Sequence, residues 1–122
     1  MTAGEAIAKA DGVKYNSFTE AQKLSWLQTI EKMLRETVLV LYKNPPEEHQ
    51  SFTTATELYI HSPFDEMYVS WLYAKIDLGN NEYERYNNDV IIFETQLKEW
   101  KAWMIRNNVP LRRARIKRIN EV

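Results

Sequence analysis

"YERYNNDVIIFETQLKEWKAWM", residues 83–104, is the stretch that decides the fold. Tyr83, Tyr86, Val90, Phe93, Leu97, Trp100 and Met104 recur at alternating steps of 3 and 4 residues. That spacing places them on one face of a helix and makes a heptad seam that needs a partner. Asn107, Asn108 and Pro110 then supply the stop, because proline cannot continue a helix and disfavours it one residue earlier.

Working backwards, "SPFD" (62–65) reads as a helix opening. Ser62 is the expected cap, Pro63 takes the first helical position and Asp65 suits the positive end of the dipole. Phe64, Met67 or Tyr68, Trp71, Leu72 and Ile76 would form its inner face, with Gly79 and Asn80 at its left-handed end. Before it, "EEHQSFTTATELYIHS" (47–62) is rich in Thr, and the alternation in "TELYI" suits a short strand, so a β-hairpin or an extended loop is expected.

Two capping boxes mark the first half of the chain. Thr2 with Glu5 opens a short helix through Ala6, Ile7 and Ala10, closed by Gly12; Thr19 with Gln22 opens a second. In that second helix Leu24, Leu27, Ile30 or Glu31, Leu34, Val38 and Leu41 make a stripe of about six turns, ended by Pro45 and Pro46. The sequence therefore predicts a mainly α protein: a bundle of about four helices, with a β-hairpin or extended loop between helices 2 and 3. Residues 1–108 form one helical domain and 109–122 an extended basic arm. Trp71 and Trp100 are expected between the two last helices.

Among the 122 residues, 16 are basic and 17 acidic, a net charge of −1, and there is no cysteine. Disulfides, thiolate catalysis and cysteine zinc sites are thereby excluded. Residues 111–122 hold five basic groups and one acid, which leaves a net −5 on residues 1–110. An acidic body carries a basic end. No apolar run reaches the roughly 20 residues of a membrane span, and "MTAGEAIAKADG" lacks the pattern of a signal peptide, so synthesis in a cytoplasm is expected.

Candidate chemistry is sparse. Glu47, Glu48 and His49 are adjacent and converge poorly on one ion, so a solvated turn is expected for His49; His61 precedes a helix start and reads as exposed. Asp65, Glu66, Asp77, Glu82 and Glu84 fall in first turns or around a helix junction rather than as an acid pair. No phosphate loop, nucleophile elbow or metal-binding helix motif is present, and neither an enzyme nor a cofactor is expected. Trp26, Trp71 and Trp100 read as core. Trp103 lies off the seam, as does Ile92 on the other side of the same helix, and one of these faces is expected to meet another subunit.

The arm interleaves Arg112, Arg113, Arg115, Lys117 and Arg118 with Leu111, Ile116 and Ile119. Solvated tails seldom carry such apolar residues, and readers of bases add aromatic or amide side chains. Docking on an acidic protein surface is preferred over binding phosphates, and a small DNA-binding regulator is the alternative.

From "TELYIHSPFDEMYVSWLYAKIDLGNNEYERYNNDVIIFETQLKEW" (56–100) the chain resembles small head-to-tail connector proteins of tailed phages that infect Gram-positive bacteria. "ADGVKYNSFTEAQKLSWLQTIE" (10–31) extends the likeness, which covers residues 1 to about 108 and leaves out the arm. The resemblance implies a virion protein of the neck: a ring of subunits, typically twelve, with the portal protein above and a stopper or tail protein below. Genomic DNA would pass through its lumen without sequence-specific contact, and the terminal arm would insert into the portal. It implies no catalytic residue.

Overall fold

Four α-helices, α1 (Ala3–Val13), α2 (Glu20–Thr37), α3 (Glu66–Gly79) and α4 (Tyr83–Asn107), build the protein in a computed structural model that describes residues 1–108. Both capping boxes form as their residues dictate. Glu5 N–H donates to Thr2 Oγ1 and Thr2 N–H to Glu5 Oε1, each at 3.1 Å; Gln22 N–H donates to Thr19 Oγ1 at 3.1 Å and Thr19 N–H to Gln22 Oε1 at 2.8 Å. Each pair satisfies two N–H groups that a helix start otherwise leaves open. α1 buries Ala3, Ala6, Ile7 and Ala10, small residues that let it lie close to α3. It runs one residue past Gly12.

α2 buries Leu27, Ile30, Glu31 and Leu34, and Val38 follows in register. It stops well before the prolines. Val38 leaves helical geometry at φ −124° and ψ −59°, and Leu39–Leu41 tighten into a 3-10 turn. Thr37, Val38 and Val40 crowd the preceding turn with β-branched side chains, which weakens the helix there. The stripe shifts as a result: Leu41 is exposed and Tyr42 is buried in its place.

Between Tyr42 and Asp65 the chain is an extended loop, and no hairpin is present among the described residues. The alternation in "TELYI" is real, since Leu58 and Ile60 are buried. Its backbone partner is the start of the chain. Leu58 N–H donates to Met1 O at 3.0 Å, Ala3 N–H to Thr56 O at 2.9 Å and Gly4 N–H to Thr54 O at 2.9 Å, around a single bridge between Thr2 and Glu57.

Ser62 does not cap α3. The Ser62–Pro63 bond is cis and lies in a turn in which Phe64 N–H donates to His61 O at 3.0 Å, so the helix begins at Glu66 behind Asp65. At its other end Asn81, at φ 60°, takes the left-handed position expected of Gly79 or Asn80. Asparagine tolerates that region. Glu82 N–H donates to Asp77 O at 2.8 Å and closes the turn into α4.

Gly79 serves packing instead. A Cβ there would lie 2.3 Å from Phe18 Cζ, and Phe18 is itself packed edge-on against Trp26 at 5.2 Å. Gly79→Ala is therefore expected to cost about 1–3 kcal/mol through overpacking. A chemical denaturation midpoint unchanged from wild type would contradict that account.

α3 and α4 form the most extensive helix pair. Trp71 meets Phe93 at 5.2 Å between ring centres and donates from Nε1 to Trp26 O at 2.9 Å, while Trp100 and Met104 are buried farther along the seam. The first seam position departs from the pattern: Tyr83 is exposed, because α3 ends beside it and leaves nothing to cover the opening turn of α4. Burying each such aliphatic or aromatic side chain contributes about 1.5–3 kcal/mol, and one contiguous cluster joins all four helices.

Candidate functional site

α4 is the helix with the most unpartnered apolar surface. Five of the ten large apolar side chains exposed among the described residues lie on it: Tyr83, Ile91, Ile92, Trp103 and Ile105. Ile92 is 51% exposed and Trp103 38%. They share a flank rather than opposing each other, because eleven residues is close to three whole turns of this unbroken helix. Ile91 and Ile105 form a second strip farther round.

Trp103 is anchored at its inner edge. Its ring lies 5.4 Å from that of Phe64, and together with Leu39, Ile60, Trp100 and Met104 it walls an apolar groove of about 380 Å³. One edge of the indole is therefore held by core residues while the other meets solvent. That geometry suits an aromatic anchor, which buries large area at low entropic cost. The arm residues Leu111, Arg112, Arg113, Arg115, Ile116, Lys117, Arg118 and Ile119 lie outside the described residues.

Two buried polar clusters emerge that the sequence did not reveal. In the first, Glu31 on α2 is 1% exposed and accepts from Tyr68 Oη of α3 on one oxygen. Its other oxygen accepts the Tyr59 N–H at 3.0 Å and lies 2.7 Å from His49 Nε2. His49 is half-buried and stacks on Tyr59 at 4.1 Å, so it is no solvated turn residue. Burial raises the Glu31 carboxyl above its ordinary range against the opposing pull of these hydrogen bonds, and burial and the Glu31 charge raise the Tyr68 phenol. Both oxygens of this carboxyl are engaged by the protein's own groups, so the cluster acts as a clamp between α2, the loop and α3. His61 is exposed, as expected.

The second cluster is an acid pair. Asp77 of α3 and Asp89 of α4 are 3% and 8% exposed and face each other beside Lys14, whose Nζ lies 2.7 Å from Asp77 Oδ2. That contact is an ion pair without the alignment of a hydrogen bond. The sequence reading placed Asp77 at a helix junction, and the junction is what brings Asp89 to it. An acid at the position next to seam residue Val90 was the available signal.

Among the described residues no group of three His, Asp or Glu side chains could hold a metal ion, and no helix is long and apolar enough to cross a membrane. The described residues do present apolar side chains along α4 and two internal polar clasps. Compared with known protein families, characterised proteins and solved structures, the chain matches none.

Proposed function

We propose that the protein is a structural subunit of a phage neck, a head-to-tail connector adaptor that assembles into a ring beneath the portal protein and offers a platform to the next neck or tail component. The observation that carries this reading is the Ile92–Trp103 flank of α4, where Ile92 and the outer edge of Trp103 stand exposed on one side of an unbroken helix. Ring subunits need such a face, since a rotationally repeated contact must join one surface of each copy to another surface of the next. The resemblance over residues 1–108 points the same way. The net −5 on residues 1–110 suits a lumen through which DNA slides without sticking. In this role the protein performs no catalysis and acts in the virion after synthesis in the host cytoplasm.

Mass measurement of the full chain mixed with portal protein tests the assignment. Ile92→Asp with Trp103→Asp is expected to leave helical content unchanged while at least tenfold less protein enters the assembled species, because two desolvated charges at an apolar contact oppose association. Assembly at wild-type level would remove α4 as the contact face. Truncation after Asn108 is expected to keep the fold and lose portal binding. If the full chain instead binds duplex DNA with a steep salt dependence, of slope about −0.9 per phosphate contact, the regulator takes the place of the adaptor.

A further inference from the structure

The assembly role makes no use of the acid pair at the α3–α4 turn. Asp77 sits in the last turn of α3 and Asp89 in the second turn of α4, and both buried carboxyls flank the same ammonium, that of Lys14. Carboxylates accept only, so two of them share a hydrogen bond when a proton lies between them. The charge count agrees. Lys14 Nζ, 2.7 Å from Asp77 Oδ2 and 3.9 Å from Asp89 Oδ2, is the one cation within ion-pair distance of either among the described residues. Its single charge balances one carboxylate, and a second buried anion would be unbalanced, which desolvation strongly opposes.

We propose that this pair is a proton-operated latch: with one proton shared it clamps α3 to α4 and holds Lys14, at the end of α1, against both, and when the proton leaves, this end of the bundle loosens. The latch joins three helices through one hydrogen bond and one ion pair, so its state is felt by all of them. Other charged and titratable groups surround it without replacing the proton. Arg85 stands one turn before Asp89 on α4 and acts on both aspartates from a distance. Tyr73 of α3 places its ring 5.3 Å from Lys14 Nζ. On α2, Lys23 is held by Asp11 at 2.8 Å. Asp77, Glu82, Arg85 and Tyr15 share the wall of a groove of about 580 Å³, which gives water and protons access.

Burial and the hydrogen bond to Asp77 push the Asp89 carboxyl up to about 7. Burial opposes ionisation of Asp77 as well, but the Asp89 hydrogen bond and the Lys14 ammonium outweigh it and hold that carboxyl below the usual range. The signs follow by linkage. Asp89 is raised, so its contribution is full below the unfolded value of 3.8 and is lost as pH rises to about 7. Asp77 is lowered, so its contribution is present above 3.8 and is lost on acidification through its folded value. The latch is tightest in mild acid and slackens through neutrality.

Amide hydrogen exchange on the full chain, expressed as protection factors, tests this at the Glu82 N–H, which donates to Asp77 O. Between pH 5 and pH 8 its protection is expected to fall about tenfold or more in the wild type and to stay level in Asp89→Asn, which keeps a hydrogen-bond donor but cannot ionise. A level wild-type profile, or the same fall in the variant, would overturn the latch. Should Asp89→Asn not fold, the aspartate carboxyl carbons of the wild-type chain decide by their own NMR titration. One step near neutrality at the pair supports the proposal, and full ionisation of both by pH 5 refutes it.

Discussion

Glu31→Ala is expected to lower stability by about 3–5 kcal/mol, a large part of the roughly 5–15 kcal/mol that holds a domain of this size together. Glu31 is buried, and it is the common acceptor for Tyr68 Oη, the Tyr59 N–H and His49. Removing it leaves the Tyr68 hydroxyl buried with no acceptor for its proton, while that same oxygen still takes the Ile60 N–H at 3.0 Å. Each orphaned buried donor costs about 1–3 kcal/mol, and the half-buried His49 can recover part of its share from water. Glu31→Gln keeps the volume and one acceptor oxygen but turns an amide N–H₂ toward existing donors, so roughly half the loss is expected. Urea denaturation with an unchanged slope reads the difference directly. A loss under about 1 kcal/mol in the alanine variant would mean that the clamp is ornamental. The carboxyl is held above its ordinary value, so its own contribution is present in acid and declines as pH rises through the folded value.

Trp100 and Trp103 lie three residues apart on α4 and are expected to respond unequally. Trp100 is 3% exposed, and Trp100→Ala is expected to cost about 3–5 kcal/mol through lost burial and the cavity left between α3, the loop and α4. Trp103→Ala removes a side chain whose outer edge is already in water and whose inner edge packs on Phe64, and is expected to cost about 1–2 kcal/mol, less than Trp100→Ala. Its effect belongs to assembly. Equal thermal destabilisation of the two variants would show that the flank of α4 is core rather than contact surface.

Local signals were legible and distant ones were not. Both capping boxes and the seam of α4 beyond Tyr83 depend on residues within a few positions of one another and formed where their spacing required, and the turn after α3 formed one or two residues later than expected, with Asn81 in the left-handed position. The end of α2 was misjudged because Pro45 and Pro46 are an absolute stop while Thr37, Val38 and Val40 are only a weak one, and the weak one acted first. The strand-like "TELYI" found a partner over fifty residues away, which no pattern within the loop could announce. Glu31 carried a usable clue: it stood as an alternative to Ile30 on an apolar stripe, and an acid on a core face demands donors. Those donors, Tyr68 and His49, are 37 and 18 residues away. Asp77 and Asp89 likewise meet only because the turn folds α4 back along α3. For the candidate contact face, exposure of Trp103 and Ile92 follows from their absence from the seam, and their shared flank from a spacing of eleven residues, close to three whole turns.

The backbone bonds that tie Met1, Ala3 and Gly4 to residues 54–58 also fix an order of events. A chain emerging from a ribosome presents α1 long before residues 54–58 exist to receive it, and later still α3, against which α1 packs. The α3–α4 hairpin, joined by three residues, closes at small entropic cost; docking the first helix closes a loop of more than fifty. α1, made well before the segments that receive it, is thus expected to dock late, its alanine-rich face unburied until residues 54–58 and α3 have been synthesised.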